Sequence, residues 1–186
     1  RYELRPSDWD TAMSVFTSHQ AQVLMGSIAS SQERIDGGWF FSHSFYDGVT
    51  QSMAMEPSSD TNTLEDLAGK AVAVVSGTLG AAYAESVKDK YGFSIATFSD
   101  SHSMYAAVLE GRAAACFEDT PALRDSIAGG VALELVPGSE GAASDYCVAI
   151  CDEKDGPFLE LFNQGLANIR ANGIYDAILA KYADAL

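Results

Sequence analysis

Seven short apolar runs punctuate this chain, and the stretches between them carry helical spacing; that alternation limits the fold more than any other feature. YEL at 2–4, AQVLM at 21–25, AVAVV at 71–75, SIATF at 94–98, AAACF at 113–117, VALELV at 131–136 and YCVAI at 146–150 read as strands. Between them, Trp9, Ala12, Met13 and Phe16 recur at helical spacing behind Asp8, a suitable N-cap, and predict a helix over 9–18. Thr63 with Asp66 resembles a capping box leading into the strand at 71–75, and a helix is expected at about 80–90. Ser101 can cap a helix with Met104, Tyr105, Val108 and Leu109 on one face and Gly111 just beyond its end. After Asp155-Gly156-Pro157, Phe158, Leu161, Phe162, Leu166 and Ile169 predict an inward helical face closed by Asn172-Gly173, then a short helix over 174–182. Strands alternating with helices predict an α/β fold.

Two polar, turn-rich stretches look like borders: EPSSDTNT at 56–63 and PGSEGAAS at 137–144. If both are crossings, residues 57–143 form a continuous lobe inserted into another made from 1–56 and 144–186, with a cleft and a hinge between them.

Charge narrows the partners. The 186 residues carry 26 Asp plus Glu against 11 Lys plus Arg, a formal charge of −15. Such a balance opposes counterion-release binding to nucleic acid and attraction to anionic membranes. No apolar run approaches the roughly 20 residues of a spanning helix, so the chain is not expected to span a membrane. It opens on Arg1 without a charged n-region and apolar h-region, which is read as a signal peptide already removed. Of the three cysteines, Cys147 and Cys151 would lie about 13 Å apart on one strand at roughly 3.3 Å per residue, too far to pair. They are read as core residues, and a Cys116–Cys147 disulfide is not expected.

In open α/β sheets ligands sit beyond the carboxyl ends of the strands. After 21–25 come the small-residue loop Gly26 to Ser31 and then Arg34; after 71–75, Ser76-Gly77-Thr78 opens a helix; after 113–117 come Glu118 and Asp119. An arginine fork holds a carboxylate bidentately and keeps its charge. Backbone N–H groups at the helix start around Thr78, with its hydroxyl, would add donors for the same anion. A carboxylate such as Asp119 accepts from an ammonium group. Together they describe an α-amino acid. Each residue also has a plainer reading: Arg34 as a surface residue paired with acids, Asp119 as a turn initiator or helix cap, Ser-Gly-Thr as an ordinary strand-to-helix turn, Trp9 as core.

At these residues the chain resembles the bacterial extracellular solute-binding proteins of family 3, receptors of amino-acid ABC importers with a two-lobed, type II periplasmic-binding-protein fold. The resemblance runs through DWDTAMSVF, AQVLMGSIASSQER, FFSHSFYDG, TLEDLAGKAVAVVSGT, LEGRAAACFEDTPAL and ANGIYDAILAKY. It implies that Arg34 binds the ligand's α-carboxylate with Thr78, that Asp119 holds the α-ammonium, and that Ser27 and Ala29 supply backbone hydrogen bonds. Trp9 would touch the ligand side chain, and Val75 and Glu118 would set selectivity. Ala29 departs from the family's hydroxyl residue, and Gln22 and Ala114 stand where it commonly has aspartates. The family's first strand and first helix have no counterpart before Arg1, so the first lobe is expected to be incomplete.

The function so implied is extracytoplasmic, periplasmic binding of an α-amino acid in the interlobe cleft and delivery to an inner-membrane ABC permease. Closure would be a ligand-shifted equilibrium. No cofactor, metal or catalytic residue is expected: His19, His43 and His102 are isolated, and HExxH, GxSxG and P-loop patterns are missing. The alternatives are a dehydratase-like enzyme on the same fold and the ligand-sensing domain of a membrane receptor.

Overall fold

The computed structural model describes residues 2–182. In chain order the elements are α1 (Trp9–Thr17), α2 (Gln32–Asp36), β1 (Phe40–Phe41), β2 (Tyr46–Met55), β3 (Ala71–Val75), α3 (Leu79–Tyr91), β4 (Ser94–Phe98), α4 (Ser101–Leu109), β5 (Ala115–Asp119), α5 (Thr120–Ala128), β6 (Glu134–Leu135), β7 (Gly141–Tyr146), β8 (Ala149–Ile150), α6 (Gly156–Ala171) and α7 (Ile174–Tyr182). They divide into two compact units, one of residues 2–48 with 144–182, the other of residues 49–143. The first border falls within β2 rather than in the turn-rich 56–63. That stretch belongs to the second unit, where Asp60 and Thr61 accept hydrogen bonds from the Lys70 ammonium at 3.0 and 2.9 Å.

The second unit is built on the sheet order β4-β3-β5-β2-β6, with β7 also paired to β2. Strands β4, β3 and β5 run parallel, and β2 is antiparallel to β5 and β6. AVAVV forms β3 because both faces are covered: its last four residues are buried, and a strand covered on both sides needs an unbroken apolar run. Val72, Val74, Ala115, Phe117 and Met53 pack with Ala84, Tyr83 and Val87 of α3. Alternation turns Ala73, Val75 and Cys116 to the other face. Thr78 caps α3, and Gly92 closes it in the left-handed conformation (φ 72°) that a Cβ would penalise.

Strand β2 was not legible as a strand. Gly48 and the polar Thr50-Gln51-Ser52 break its apolar run, yet everything from Gln51 to Met55 is buried because it pairs on both sides. The ladder with β2 also shifts β5 two residues past the expected 113–117, so Glu118 and Asp119 are its last residues rather than its loop. The expected strand at 131–136 reduces to β6; Leu133 N–H turns back to the Val131 carbonyl instead of joining a ladder.

In the first unit, Asp8 accepts from Thr11 N–H and starts α1, whose Phe16 is fully buried with Leu24, Ile28 and Ala149. The expected strand at 21–25 is a single bridge, Leu24 with Ala149, because Gly26 turns the chain away immediately after it. The run 146–150 is interrupted: Cys147 N–H donates to the Ile28 carbonyl and Val148 N–H to the Ser42 hydroxyl, so the ladder changes partners between β7 and β8. Tyr2 is 82% exposed, and residues 2–4 pair with no strand among the described residues. On α6, Leu159, Phe162, Leu166 and Ile169 face inward, while Phe158 and Leu161, expected inside, are exposed. Cys116 and Cys147 are buried and Cys151 half-buried; none forms a disulfide.

Candidate functional site

The candidate residues form two groups, one on each unit. In the first, Ser31 ends the small-residue loop and caps α2 by accepting from Arg34 N–H at 3.3 Å. This places Arg34 on α2, a five-residue helix beyond the small-residue loop, which the sequence does not signal. One guanidinium nitrogen donates to the Ala29 carbonyl at 2.7 Å, and the guanidinium carbon lies 5.8 Å from the centre of the Trp9 ring and 5.4 Å from that of Trp39. Two indole faces hold the cation by attraction to their quadrupoles. Trp39 is anchored by an edge-on contact of its ring with Phe16 at 4.8 Å between ring centres, and its backbone N–H donates to the Arg34 carbonyl.

Trp9 therefore stands both in the apolar cluster of α1 and against the cation. Ala29 is buried and bridges Tyr146, while Ser27 is exposed. Trp39 was missed by the sequence reading; its only signal was a large aromatic in GGWFF, five residues after Arg34.

In the second unit the ends of β3 and β5 share one edge of the sheet, because the strands are parallel neighbours with Ala73 opposite Cys116. Val75 is buried at the end of β3. The Thr78 hydroxyl donates to the Val75 carbonyl at 2.7 Å and accepts from Ala81 N–H at 3.2 Å, so it is occupied in capping α3. Asp119, at the start of α5, makes no side-chain capping bond; its Oδ1 accepts from the Gln51 amide at 2.5 Å.

Glu118 is directed differently. Ser101 donates to one of its oxygens at 2.8 Å and the Tyr105 hydroxyl to the other. Burial pushes its pKa up, opposed by these two hydrogen bonds, and the Asp119 charge adds to the rise. Burial also pushes the Tyr105 phenol up, with the Glu118 charge adding to it. Gln51, the other residue missed from sequence, lies inside the unrecognised β2.

Among the described residues no three His, Cys, Asp or Glu side chains gather into a metal-binding group, and no helix is long and apolar enough to cross a membrane.

The sequence profile of bacterial extracellular solute-binding proteins, family 3, matches residues 1–185. The lysine/arginine/ornithine-binding periplasmic protein of Escherichia coli K12 is 24% identical over 191 residues, spanning 96% of this chain and 70% of that protein. Among solved structures, holo ArgBP from T. maritima is similar with TM-score 0.78 and 25% identity, covering 97% of this chain and 77% of the other. An ancestral arginine-binding protein bound to arginine has TM-score 0.81 and 22% identity over 97% of this chain and 79% of its own.

Proposed function

Because this chain belongs to family 3 of the bacterial extracellular solute-binding proteins, we propose that it binds an α-amino acid outside the cytoplasm and delivers it to an ABC-type permease. The observation that carries the reading is the state of Arg34: a half-buried guanidinium set against two indole rings and donating to the Ala29 carbonyl. A planar fork held in this way suits a carboxylate. Asp119, at the C-terminal end of a parallel strand, is the carboxylate proposed for the α-ammonium.

The remaining roles follow from position. Ser27 and Ala29 would offer backbone groups beside Arg34. The N–H groups before α3 would assist with the anion, whereas the Thr78 hydroxyl serves mainly to hold that turn in place. Trp9 would contact the ligand side chain. Val75 and Glu118 would bear on selectivity, Glu118 through the residues it holds, because its own oxygens are bonded to Ser101 and Tyr105. The relatives are named for binding lysine, arginine, ornithine and histidine, and this chain is strongly acidic, so basic amino acids head the list of candidate ligands.

A thermal-shift screen against the twenty amino acids tests the reading. A ligand present at 100 times its dissociation constant adds about 2.7 kcal/mol of stability. Arg34→Ala and Asp119→Ala should each abolish the shift. A shift that survives both substitutions, or no shift with any amino acid, refutes the proposal.

A further inference from the structure

We infer that Gln51 is a positioning residue, whose amide orients the Asp119 carboxylate to receive the α-ammonium of the ligand; this rests on the amino-acid reading above. Gln51 and Asp119 lie directly opposite each other in the antiparallel ladder of β2 and β5, so their side chains emerge on the same face of the sheet. Gln51 is 0% exposed, and its Nε2 donates to Asp119 Oδ1 at 2.5 Å. A carboxylate only accepts, which settles the orientation of the amide: nitrogen toward Asp119, oxygen away.

That oxygen is the clue to what the residue does. Among the described residues Gln51 Oε1 is the buried side-chain oxygen or nitrogen that finds no hydrogen-bond partner. A glutamine kept for stability alone would satisfy both ends of its amide, because an orphaned buried acceptor costs stability. This one keeps the unfavourable end and gains a charge-assisted bond to one carboxylate oxygen.

The surroundings are shaped to the same end. Gly80, in the first turn of α3, leaves room above the amide: a Cβ there would come within 3.3 Å of Gln51 Oε1 and 2.6 Å of the Phe117 carbonyl oxygen. The neighbours of Gln51 in β2 hold the next residue of the chain. Thr50 and Ser52 hydroxyls lie 2.7 and 2.6 Å from the Thr120 hydroxyl, which also donates to the Thr50 carbonyl at 2.8 Å. Strand β2 thereby holds both Asp119 and the start of α5.

Calorimetric titration with two probes, L-arginine and 5-guanidinopentanoate, which lacks the α-amino group, separates positioning from structure. Gln51→Met keeps the size of the side chain and removes both the donor and the orphan oxygen. It should weaken L-arginine about tenfold, equivalent to about 1.4 kcal/mol, leave 5-guanidinopentanoate unchanged, and leave Tm unchanged or raised. Equal weakening of both probes, a fall in Tm with no change in their ratio, or unchanged binding overturns the inference. If Gln51→Met does not fold, Gln51→Asn, too short to reach Asp119, should show the same selective loss. Asp119→Asn tests the underlying reading separately: it must lose the preference for L-arginine whatever Gln51 does. An unaltered protein that binds both probes equally, or neither, removes the ammonium half-site and this inference together.

Discussion

The guanidinium of Arg34 is held by aromatic faces and a carbonyl from Trp9, Ala29 and Trp39, all within 25 residues of it, whereas the carboxylate of Asp119 is held by an amide 68 residues away, across a sheet. The supports differ as much as the partners. Arg34 sits on a five-residue helix in a unit whose described sheet has two strands of two residues each. Asp119 ends a strand with ladder partners on both sides and a helix beginning at the next residue. A cation can be positioned by π-faces, through attraction to the ring quadrupoles. A carboxylate is oriented most directly by a donor, and a donor placed inside a sheet has to come from a neighbouring strand.

The largest test of this contrast removes one aromatic from beneath each group. Phe16 and Phe117 are both buried, and either change to Ala should cost about 3–5 kcal/mol. Phe16→Ala also withdraws the edge contact from Trp39, so it should impair ligand binding beyond its effect on stability. Urea unfolding with and without ligand measures both, and a Phe16→Ala protein that binds normally where it is folded breaks the link from core to cation.

Gly80→Ala comes next. Its Cβ would press on the Phe117 backbone, an overpacking that costs about 1–3 kcal/mol. A Tm within error of the unaltered protein would show that α3 shifts freely on the sheet. Trp39→Leu should cost about 0.5–2 kcal/mol of the cation–π support, and Trp39→Phe, which keeps a ring face, should recover most of it. Equal ligand affinities for the Leu and Phe variants would mean that ring electrostatics do not hold Arg34.

The smallest effect is a slope. Burial raises the Glu118 pKa above its ordinary 4.5, so the folded chain binds that proton more tightly than the unfolded chain. The stability so contributed is full below 4.5 and is lost as pH rises through the folded pKa. Glu118→Gln cannot ionise, so its Tm should gain on the unaltered protein as pH rises from about 4.5 toward neutrality. Parallel Tm curves across that range would show that burial does not dominate at Glu118.

Much of the second unit was legible in the sequence. AVAVV followed by Ser-Gly-Thr is a buried strand and a capped helix, and both formed where expected because their signals are local. The α4 cap was one residue out: Asp100, not Ser101, accepts from Ser103 N–H, and Ser101 is drawn instead to Glu118. Asp119 could be singled out as a charge at a strand end, and Arg34 as a charge behind an apolar run that forms only a single bridge. Their supports were harder to see: Trp39 read as one more aromatic, and Gln51 hid a ten-residue strand by being polar where the pattern called for apolar.

By itself the sequence determined the alternation of strands and helices, the local cap at Asp8, the turn at Thr78 that opens a helix, and the formal charge of −15. Only the tertiary structure decided which strands found partners and which polar groups found mates. Leu24 keeps a single bridge, Ser42 takes the place of a ladder acceptor for Val148, and Gln51 meets Asp119. The physical reason is one of range. Capping and periodicity are settled within a turn or two of chain, whereas a buried donor or acceptor must be satisfied by whatever the fold brings beside it, and that neighbour is set by register.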